Sequence, residues 1–289
     1  MPKNSPEGQS QTEIVKATPG DFDRLANFLN VKNTIYRHLD WFGVLDWLGE
    51  QSFLIEQIDD NVQAFFCATP ENQETAWLRA FGFRRDLDPT LSWNKLFRFS
   101  IDFLRKKKIR RLAALGMHPW IETLLAESNF INKQNVVVLE WKNEFPPNFT
   151  IGEKIRIRMM KSEDLLTVSN IDHIAFPSLW QNSLSGLKRA FELQGISTVA
   201  VHNDKIIGYQ ISTTMTIYGH LARLAVLPSY QRQGVAFALV YDLLEKFKDR
   251  GLWRVTVNTQ SDNKPSLKLY EKFGFEVTGE EISTYEYDL

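Results

Sequence analysis

The sequence predicts an α/β (α+β) protein made of two similar domains, and three observations support this class. Apolar runs of strand length and of helix length follow one another along the whole chain. The pair Pro146 and Pro147 interrupts them near the middle, because proline fits neither a helix interior nor a central strand. The order of elements after this break repeats the order before it. A chain of 289 residues is also long enough for two hydrophobic cores.

The first half holds one set of these elements. We expect the polar residues 1–11 to be disordered and residues 12–144 to form the first domain. The pattern predicts strands over 14–18, 53–57, 62–69, 76–83 and 110–115, a helix start at 19–22 and a helix over 91–104. Segment 124–130 closes the first copy.

The second half holds the other set. We expect residues 145–152 to be a linker and residues 153–289 to form the second domain. The pattern predicts strands over 154–159, 198–201, 206–213, 221–227 and 253–257, and helices over 162–174, 184–193 and 237–248. Asn203 and Asp204 predict a tight turn between two of these strands.

Composition narrows the class of protein. Hydrophobic residues make up 43% of the chain and charged residues 24%, as in globular proteins. The net charge of −1 argues against a general nucleic-acid or membrane binder, and we interpret the basic run 105–111 as a solvated helix end. The single cysteine, Cys67, excludes an intrachain disulfide. Without a signal peptide or a long apolar run, the sequence predicts a cytoplasmic protein.

The segment Gln231-Arg232-Gln233-Gly234-Val235-Ala236 lies between a predicted strand and a predicted helix. The first N–H groups of a helix lack intrahelical partners, and the helix dipole attracts anions to that end. Gly234 removes the side chain where a ligand would approach, Ala236 is small, and Arg232 can add a charge-assisted contact. By itself this pattern is also that of an ordinary turn.

A second segment follows at a fixed distance, Asn263-x-x-Ser266-x-x-x-Tyr270-x-x-x-Gly274-Phe275. Together, the two segments resemble the pyrophosphate loop and the pantetheine-side helix of the GNAT superfamily of acyl-CoA-dependent N-acyltransferases. The resemblance covers residues 153–289. It implies domains with a mixed, mostly antiparallel twisted sheet flanked by helices, with acetyl-CoA as the cofactor and no metal.

The resemblance also implies the residues of the cofactor site. In the family, CoA contacts the strand before the loop, the loop itself and the second segment further along the chain. Here these residues are Leu224, Ala225, Val226, Gln231, Arg232, Gln233, Gly234, Val235, Ala236, Asn263 and Tyr270. Tyr270 is implied as the acid that protonates the leaving thiolate, and packing on the sheet is its alternative role. Asn263 has a rival role as a helix cap before Pro265.

The general base is less clear from the resemblance. N-terminal acetyltransferases of the family carry a Glu where this chain has Asn258, which cannot accept a proton. Other members carry a Glu at the position of His220, and histidine titrates near neutral pH. A surface role for His220, base catalysis by Tyr218 and a water relay remain alternatives.

The acceptor is a primary amine in this family. Phe176 and Trp180 resemble an aromatic–Pro…Trp segment and are candidates for the acceptor cleft, with core packing as the alternative. We therefore expect an N-acetyltransferase acting on a small molecule or on a peptide or protein N-terminus, as a monomer or homodimer. A CoA sensor without turnover, favoured by Asn258, and a transferase of a longer acyl group are the alternatives.

The first copy lacks this chemistry in the sequence. Aligned by the order and the ends of the elements, Leu91 stands where Gly234 does and Trp93 where Ala236 does; Leu125 stands where Tyr270 does and Asp88 adds negative charge. We interpret residues 12–144 as a degenerate, non-catalytic copy, with an unrelated α/β domain as the alternative.

Overall fold

The computed structural model describes residues 12–145, 155–193, 195–215 and 217–289. The expected disordered segment 1–11 and nearly all of the expected linker, 146–152, lie outside the described residues. The chain divides into two compact units. One runs up to Ile131 and includes Tyr285–Leu289, and the other is Asn132–Thr284.

The first unit is a sheet with helices. Its elements are β1 (Thr12–Lys16), α1 (Phe22–Asn30), β2 (Thr34–Arg37), β3 (Phe53–Ile58), β4 (Asn61–Pro70), β5 (Thr75–Phe83), α2 (Pro89–Lys106), β6 (Arg111–Gly116) and α3 (Pro119–Glu127). The strands lie in the order β1-β3-β4-β5-β6, and β2 pairs with β5. Only the β5–β6 pair among these is parallel.

The second unit repeats the plan. Its elements are β7 (Ile131–Trp141), β8 (Ile155–Met159), α4 (Leu165–Ala175), α5 (Leu184–Glu192), β9 (Ser197–His202), β10 (Lys205–Met215), β11 (Tyr218–Val226), α6 (Val235–Asp249), β12 (Arg254–Gln260), α7 (Lys264–Glu271) and β13 (Phe275–Asp288). Its strand order is β13-β7-β12-β11-β10-β9-β8. The mixed, mostly antiparallel α/β fold expected from the sequence is confirmed.

The strand β7 lies before residue 144, where the sequence placed the end of the first domain, yet from Asn132 onward it belongs to the second unit. It pairs antiparallel with β12, from Glu140 opposite Thr256 to Val136 opposite Gln260. Strand pairing across more than a hundred residues leaves no local signal, because the partner cannot be read from the strand itself. The contact boundary therefore lies before the proline pair that divides the sequence.

Helix α6 carries the core of the second unit. Its buried residues Leu239, Leu243 and Phe247 recur at helical spacing and face the sheet. Leu221 and Val257, from the two strands beneath, lie in the same core cluster as Leu243 and Phe247. Each fully buried Leu or Phe contributes roughly 1.5–3 kcal/mol. This packing fixes β11 and β12 side by side under the helix.

A β-bulge in β11 decides which side chains face this helix. Ile211 of β10 pairs with Arg223 and Ser212 pairs with Leu221, so Ala222 has no partner in β10. One extra residue reverses the alternation of faces. Leu221 before the bulge and Val226 after it both lie in core clusters with α6 residues. His220 and Arg223 consequently point to the other face of the sheet.

Candidate active site

The centre of the second unit is a gap between two parallel strands. β11 and β12 pair only from Tyr218 opposite Arg254 to Leu221 opposite Val257. Beyond that last pair β11 continues to Val226 and β12 to Gln260. The facing edges of the two strands are not paired with each other there, so backbone N–H groups along them can bind a ligand.

The strand residues expected at the cofactor, Leu224, Ala225 and Val226, lie along this gap. On their other edge they pair with β10, where Leu224 lies opposite Gln210. Ala225 and Val226 are buried. Their position beside the gap is the geometry that a narrow, extended ligand arm needs.

The loop after β11 leads directly into the start of α6. Arg232 has φ 59° and Gly234 has φ 82°, both in the left-handed region. Alternation of left-handed and right-handed residues turns successive N–H groups toward one side. Gly234 is the N-cap of α6 and supplies no side-chain acceptor, so the first N–H groups, including those of Val235 and Ala236, stay available to an anion.

The two glutamines of the loop stabilise its turn through hydrogen bonds to backbone carbonyl oxygens. The Gln231 Nε2 donates to the Val226 carbonyl oxygen at 3.1 Å. The Gln233 Nε2 donates to the Ser229 carbonyl oxygen at 2.9 Å. Both hydrogen bonds hold the turn in shape and leave the exposed Arg232 as the charged side chain of the loop.

Helix α7 places Asn263 and Tyr270. The Asn263 Oδ1 accepts from the Ser266 N–H at 3.3 Å, so Asn263 does cap the helix. Tyr270 is buried in the same cluster as Leu221 and Val257, the pair at which the gap begins. Its burial raises the pKa of the phenol. Tyr270 therefore belongs to the core on the α6 face of the sheet, with its proton retained.

His220 lies on the opposite face. Its Nδ1 is 2.9 Å from the Thr256 Oγ1, and burial lowers the pKa of the imidazole below its ordinary value of 6.5. Strand alternation puts Asn258 on the same face as Thr256. A cavity of about 260 Å³ adjoins the imidazole; its lining residues are Thr213, Met215, Tyr218, Gly219, His220, Arg254 and Thr256.

Tyr218, the weaker base candidate, lies at the outer end of this cavity. It is 42% exposed, and the guanidinium carbon of Arg254 lies 5.2 Å from its ring centroid. Tyr218 is opposite the first residue of the β11–β12 pairing, at the end remote from the gap. His220 is one residue from the last pair and is therefore the nearer group to the gap.

Phe176 and Trp180 follow α4 and are half-buried. The Arg223 guanidinium carbon lies 3.5 Å from the Phe176 ring centroid, and Arg223 Nη2 donates to the Trp180 carbonyl oxygen at 2.5 Å. The Trp180 Nε1 donates to Gln134 Oε1 at 3.2 Å. Both aromatic residues are thus tied to β11 through one arginine.

That arginine belongs to a buried network. The Asp172 carboxylate is fully buried and accepts from Arg223 Nε at 2.7 Å and Nη2 at 2.9 Å. The Tyr209 hydroxyl and the Asn182 N–H donate to the same carboxylate. Sequence reasoning missed Arg223, Asp172 and Tyr209. The available signal was Asp172 at the helical spacing of Leu165 and Val168, on the buried face of α4.

The first unit treats the same positions differently. The bulge in β5 leaves Arg79 without a partner in β4, as Ala222 of β11 has none in β10. Trp77, two residues before Arg79, therefore corresponds to His220, two residues before Ala222. Asp88 is the N-cap of α2, and its Oδ1 accepts from the Thr90 N–H at 2.9 Å. Asp88 rather than Leu91 therefore holds the place of Gly234, because α2 begins at Pro89, before the helix over 91–104 that the sequence predicted.

Two more residues of that comparison lie in the core. Trp93 and Leu125 are both buried in the core cluster of the first unit. Trp93 lies on the core side of α2 and does not fill the loop before this helix. Leu91 is 65% exposed. The residue that closes the helix start is the capping carboxylate of Asp88.

The fold and the loop of the second unit are similar to those of the GNAT acetyltransferases. Residues 165–275 match the model of the Acetyltransferase (GNAT) family, and the second unit is accordingly a GNAT domain. A tandem GNAT protein from the clavulanic acid biosynthesis pathway superposes with TM-score 0.66 over 96% of this chain and 98% of its own, at 12% identity. The chain therefore has the fold of a tandem GNAT protein.

Two sequence relatives match part of the chain. N-alpha-acetyltransferase 30 of Schizosaccharomyces pombe is 33% identical over 84 residues, 27% of this chain and 56% of the relative. The [Ribosomal protein bS18]-alanine N-acetyltransferase of Escherichia coli is 32% identical over 73 residues, 25% of this chain and 49% of the relative. The chain thus spans about half the length of these relatives, both named N-acetyltransferases.

In the described residues, no cluster of three or more His, Cys, Asp or Glu side chains could hold a metal ion. None of the helices in the described ranges combines the length and apolarity needed to cross a membrane.

Proposed function

We propose that the second unit transfers an acetyl group from acetyl-CoA to a primary amine, with the gap between β11 and β12 as its site. The observation that carries this proposal is the continuity of two features. The gap opens after Leu221 and Val257, and β11 then leads into a helix start whose N-cap, Gly234, leaves the N–H groups available. One elongated ligand with an anionic end fits both. When bound, acetyl-CoA supplies the acetyl group as a thioester.

The loop anchors the phosphates. The N–H groups at the start of α6 and the guanidinium of Arg232 offer fixed donors and a positive charge to an anion. Leu224, Ala225 and Val226 supply the strand edge along the gap, where backbone N–H groups can stabilise a developing oxyanion. Asn263 keeps the α7 start in place by capping it.

His220 is the base in this proposal. With Nδ1–H donated to Thr256 Oγ1, Nε2 carries the lone pair that takes the proton from the amine nitrogen. The lowered pKa keeps this imidazole neutral at neutral pH, as a base requires. Asn258, on the same face, can only orient the amine by hydrogen bonding.

Tyr270 is the acid. The raised pKa of its phenol keeps the proton on the hydroxyl until the thiolate departs. Since Tyr270 packs on the α6 face and His220 points to the other, one proton leaves the amine on one side of the sheet and another arrives from the opposite side.

The acceptor cleft is the face of His220, with Phe176 and Trp180 as its aromatic wall. We infer that the acceptor is the amine of a small molecule or of a peptide or protein N-terminus. The relative named for the alanine of ribosomal protein bS18 supports a peptide N-terminus as the first acceptor to try.

The test uses the purified full chain. Calorimetry should give CoA binding, and a panel of amines and N-terminal peptides with acetyl-CoA should release free thiol only when a true acceptor is present. CoA binding without turnover across the panel would favour the sensor, and preference for longer acyl-CoA would favour the longer-chain transferase. Absence of CoA binding would reject the proposal.

A further inference from the structure

The segment 176–183, here called the acceptor loop, is held to strand β11 by Arg223 and to strand β7 by the hydrogen bond from the Trp180 Nε1 to the Gln134 Oε1. We propose that Arg223 is a positioning residue that sets the acceptor loop against the gap and thereby governs acceptor binding. This inference rests on the proposed function for its kinetic consequence. Its structural consequence, a loop whose order depends on Arg223, stands independently.

Three contacts define the clamp. The guanidinium lies over the Phe176 ring, with Cζ at 3.5 Å from the centroid. Its Nη2 donates to the Trp180 carbonyl oxygen at 2.5 Å. Its Nε and Nη2 bind Asp172, whose Oδ1 also accepts from the Asn182 N–H at 2.8 Å. The arginine thus contacts the beginning and the middle of the acceptor loop directly and is linked to its end through Asp172.

These contacts need an arginine. A planar guanidinium presents a face to an aromatic ring and several donors at its edge simultaneously, whereas an ammonium is a point charge with no face. Lysine at position 223 would keep the charge beside Asp172 but lose the fork and the stacking. The chemistry of the contacts therefore predicts that Arg223→Lys loosens the loop without unpairing the carboxylate.

The position of Arg223 in β11 connects the acceptor loop to the gap. It directly follows Ala222, the unpaired residue of the bulge, and lies just beyond Leu221, where pairing with β12 ends. The bulge turns Arg223 to the face of His220. The loop is consequently held by the strand segment that borders the gap, so its distance from the reacting amine is set there.

A purely structural role is the competing explanation, because a buried ion pair can serve stability alone. The side chain of Arg223 is 12% exposed and that of Asp172 is fully buried. Tyr209→Phe provides the matched control. It removes the hydroxyl that donates to the same carboxylate and that also interacts with the Arg223 guanidinium. The ring stays in place, and the contacts of Arg223 with Phe176 and Trp180 are kept.

The first measurement is hydrogen exchange, which needs no acceptor. Amides of Trp180 and Asn182 are hydrogen-bonded to Pro177 and Asp172 and report on the acceptor loop. Arg223→Lys should speed their exchange relative to wild type and to Tyr209→Phe, while amides in β10 and β11 stay protected. Arg223→Met is the stronger variant where it folds.

The second measurement is kinetic. Arg223→Lys should raise the acceptor KM on the order of 10-fold, with the Kd for CoA unchanged within about 2-fold, because small displacements of a positioning group cost binding and orientation. Tyr209→Phe should leave the acceptor KM near wild type. If wild type turns over no amine, the proposed function fails while the exchange result still tests the clamp. Equal effects of both variants, or no faster exchange in Arg223→Lys, would overturn the inference.

Discussion

Replacement of Gly234 by alanine tests whether the loop conformation itself binds the cofactor. Gly234 has φ 82° at the N-cap of α6. An L-residue in the left-handed region costs roughly 1–2 kcal/mol, because its Cβ approaches the carbonyl oxygen. In the free protein the loop can relieve this strain by leaving that conformation. Binding then has to restore it.

The expected loss of affinity follows from that strain. At about 1.4 kcal/mol for each factor of ten, 1–2 kcal/mol corresponds to roughly a 5- to 30-fold weaker Kd for CoA. Calorimetry on the full chain measures this directly. Thermal unfolding of the same variant shows whether the substitution also lowers the stability of the protein.

Gly251, just beyond the other end of α6, is the matched control. It has φ 73°, and an added Cβ would meet no atom within 4 Å, so Gly251→Ala imposes only the backbone cost. This variant should lose stability but keep the Kd of wild type. A wild-type Kd for Gly234→Ala, or an equal loss of affinity in both variants, would refute the role assigned to the loop.

Three further predictions concern the rest of the site. Acetyl-CoA should bind once per chain; Gly234→Trp should abolish binding and Leu91→Gly should leave the stoichiometry unchanged, whereas two equivalent sites by calorimetry would contradict a degenerate first copy. Tyr270→Phe should lower turnover roughly 10²-fold, within the range of a general acid, with CoA affinity retained; wild-type turnover would leave Tyr270 as a packing residue. The pKa of His220 is lowered by burial, so the acidic limb of kcat/KM should lie below pH 6.5, where the imidazole gains its proton and ceases to be a base. His220→Ala should remove that limb, and its persistence would assign the base to another group.

The parts of the fold that the sequence predicts are those with local signals. The loop at Gly234 and the turn at Asn203 depend on residues with special backbone preferences, which neighbouring residues alone reveal. Arg223 meets Asp172 across 51 positions of sequence, and nothing near either residue announces the other. Its facing also depends on the bulge at Ala222, because a strand read without that extra residue assigns the arginine to the wrong face.

In the first unit, the strand edge that corresponds to the gap is covered by another strand. There the parallel pairing of β5 with β6 ends at Trp77 opposite Ala113, and β2 then pairs with β5 from Arg37 opposite Ala80 to Thr34 opposite Phe83. In the first unit, β2 therefore occupies the edge of β5 that corresponds to the edge of β11 bordering the gap in the second unit. The Tyr36 hydroxyl completes this closure by accepting from the Leu115 N–H of β6 at 3.1 Å.

The helix start is closed by the same principle. Asp88 caps α2 with its own carboxylate, while Gly234 leaves the corresponding donors of α6 without a side-chain acceptor. Glycine in place of aspartate at an N-cap costs only about a few tenths of a kcal/mol, so an open helix start is a small sacrifice of stability. A sheet edge and a helix end must find hydrogen-bond partners, and the first unit supplies them from its own chain. We infer that the second unit obtains them from its ligand, and that opening the helix start alone, as in Asp88→Gly, cannot create a second site while β2 occupies the strand edge.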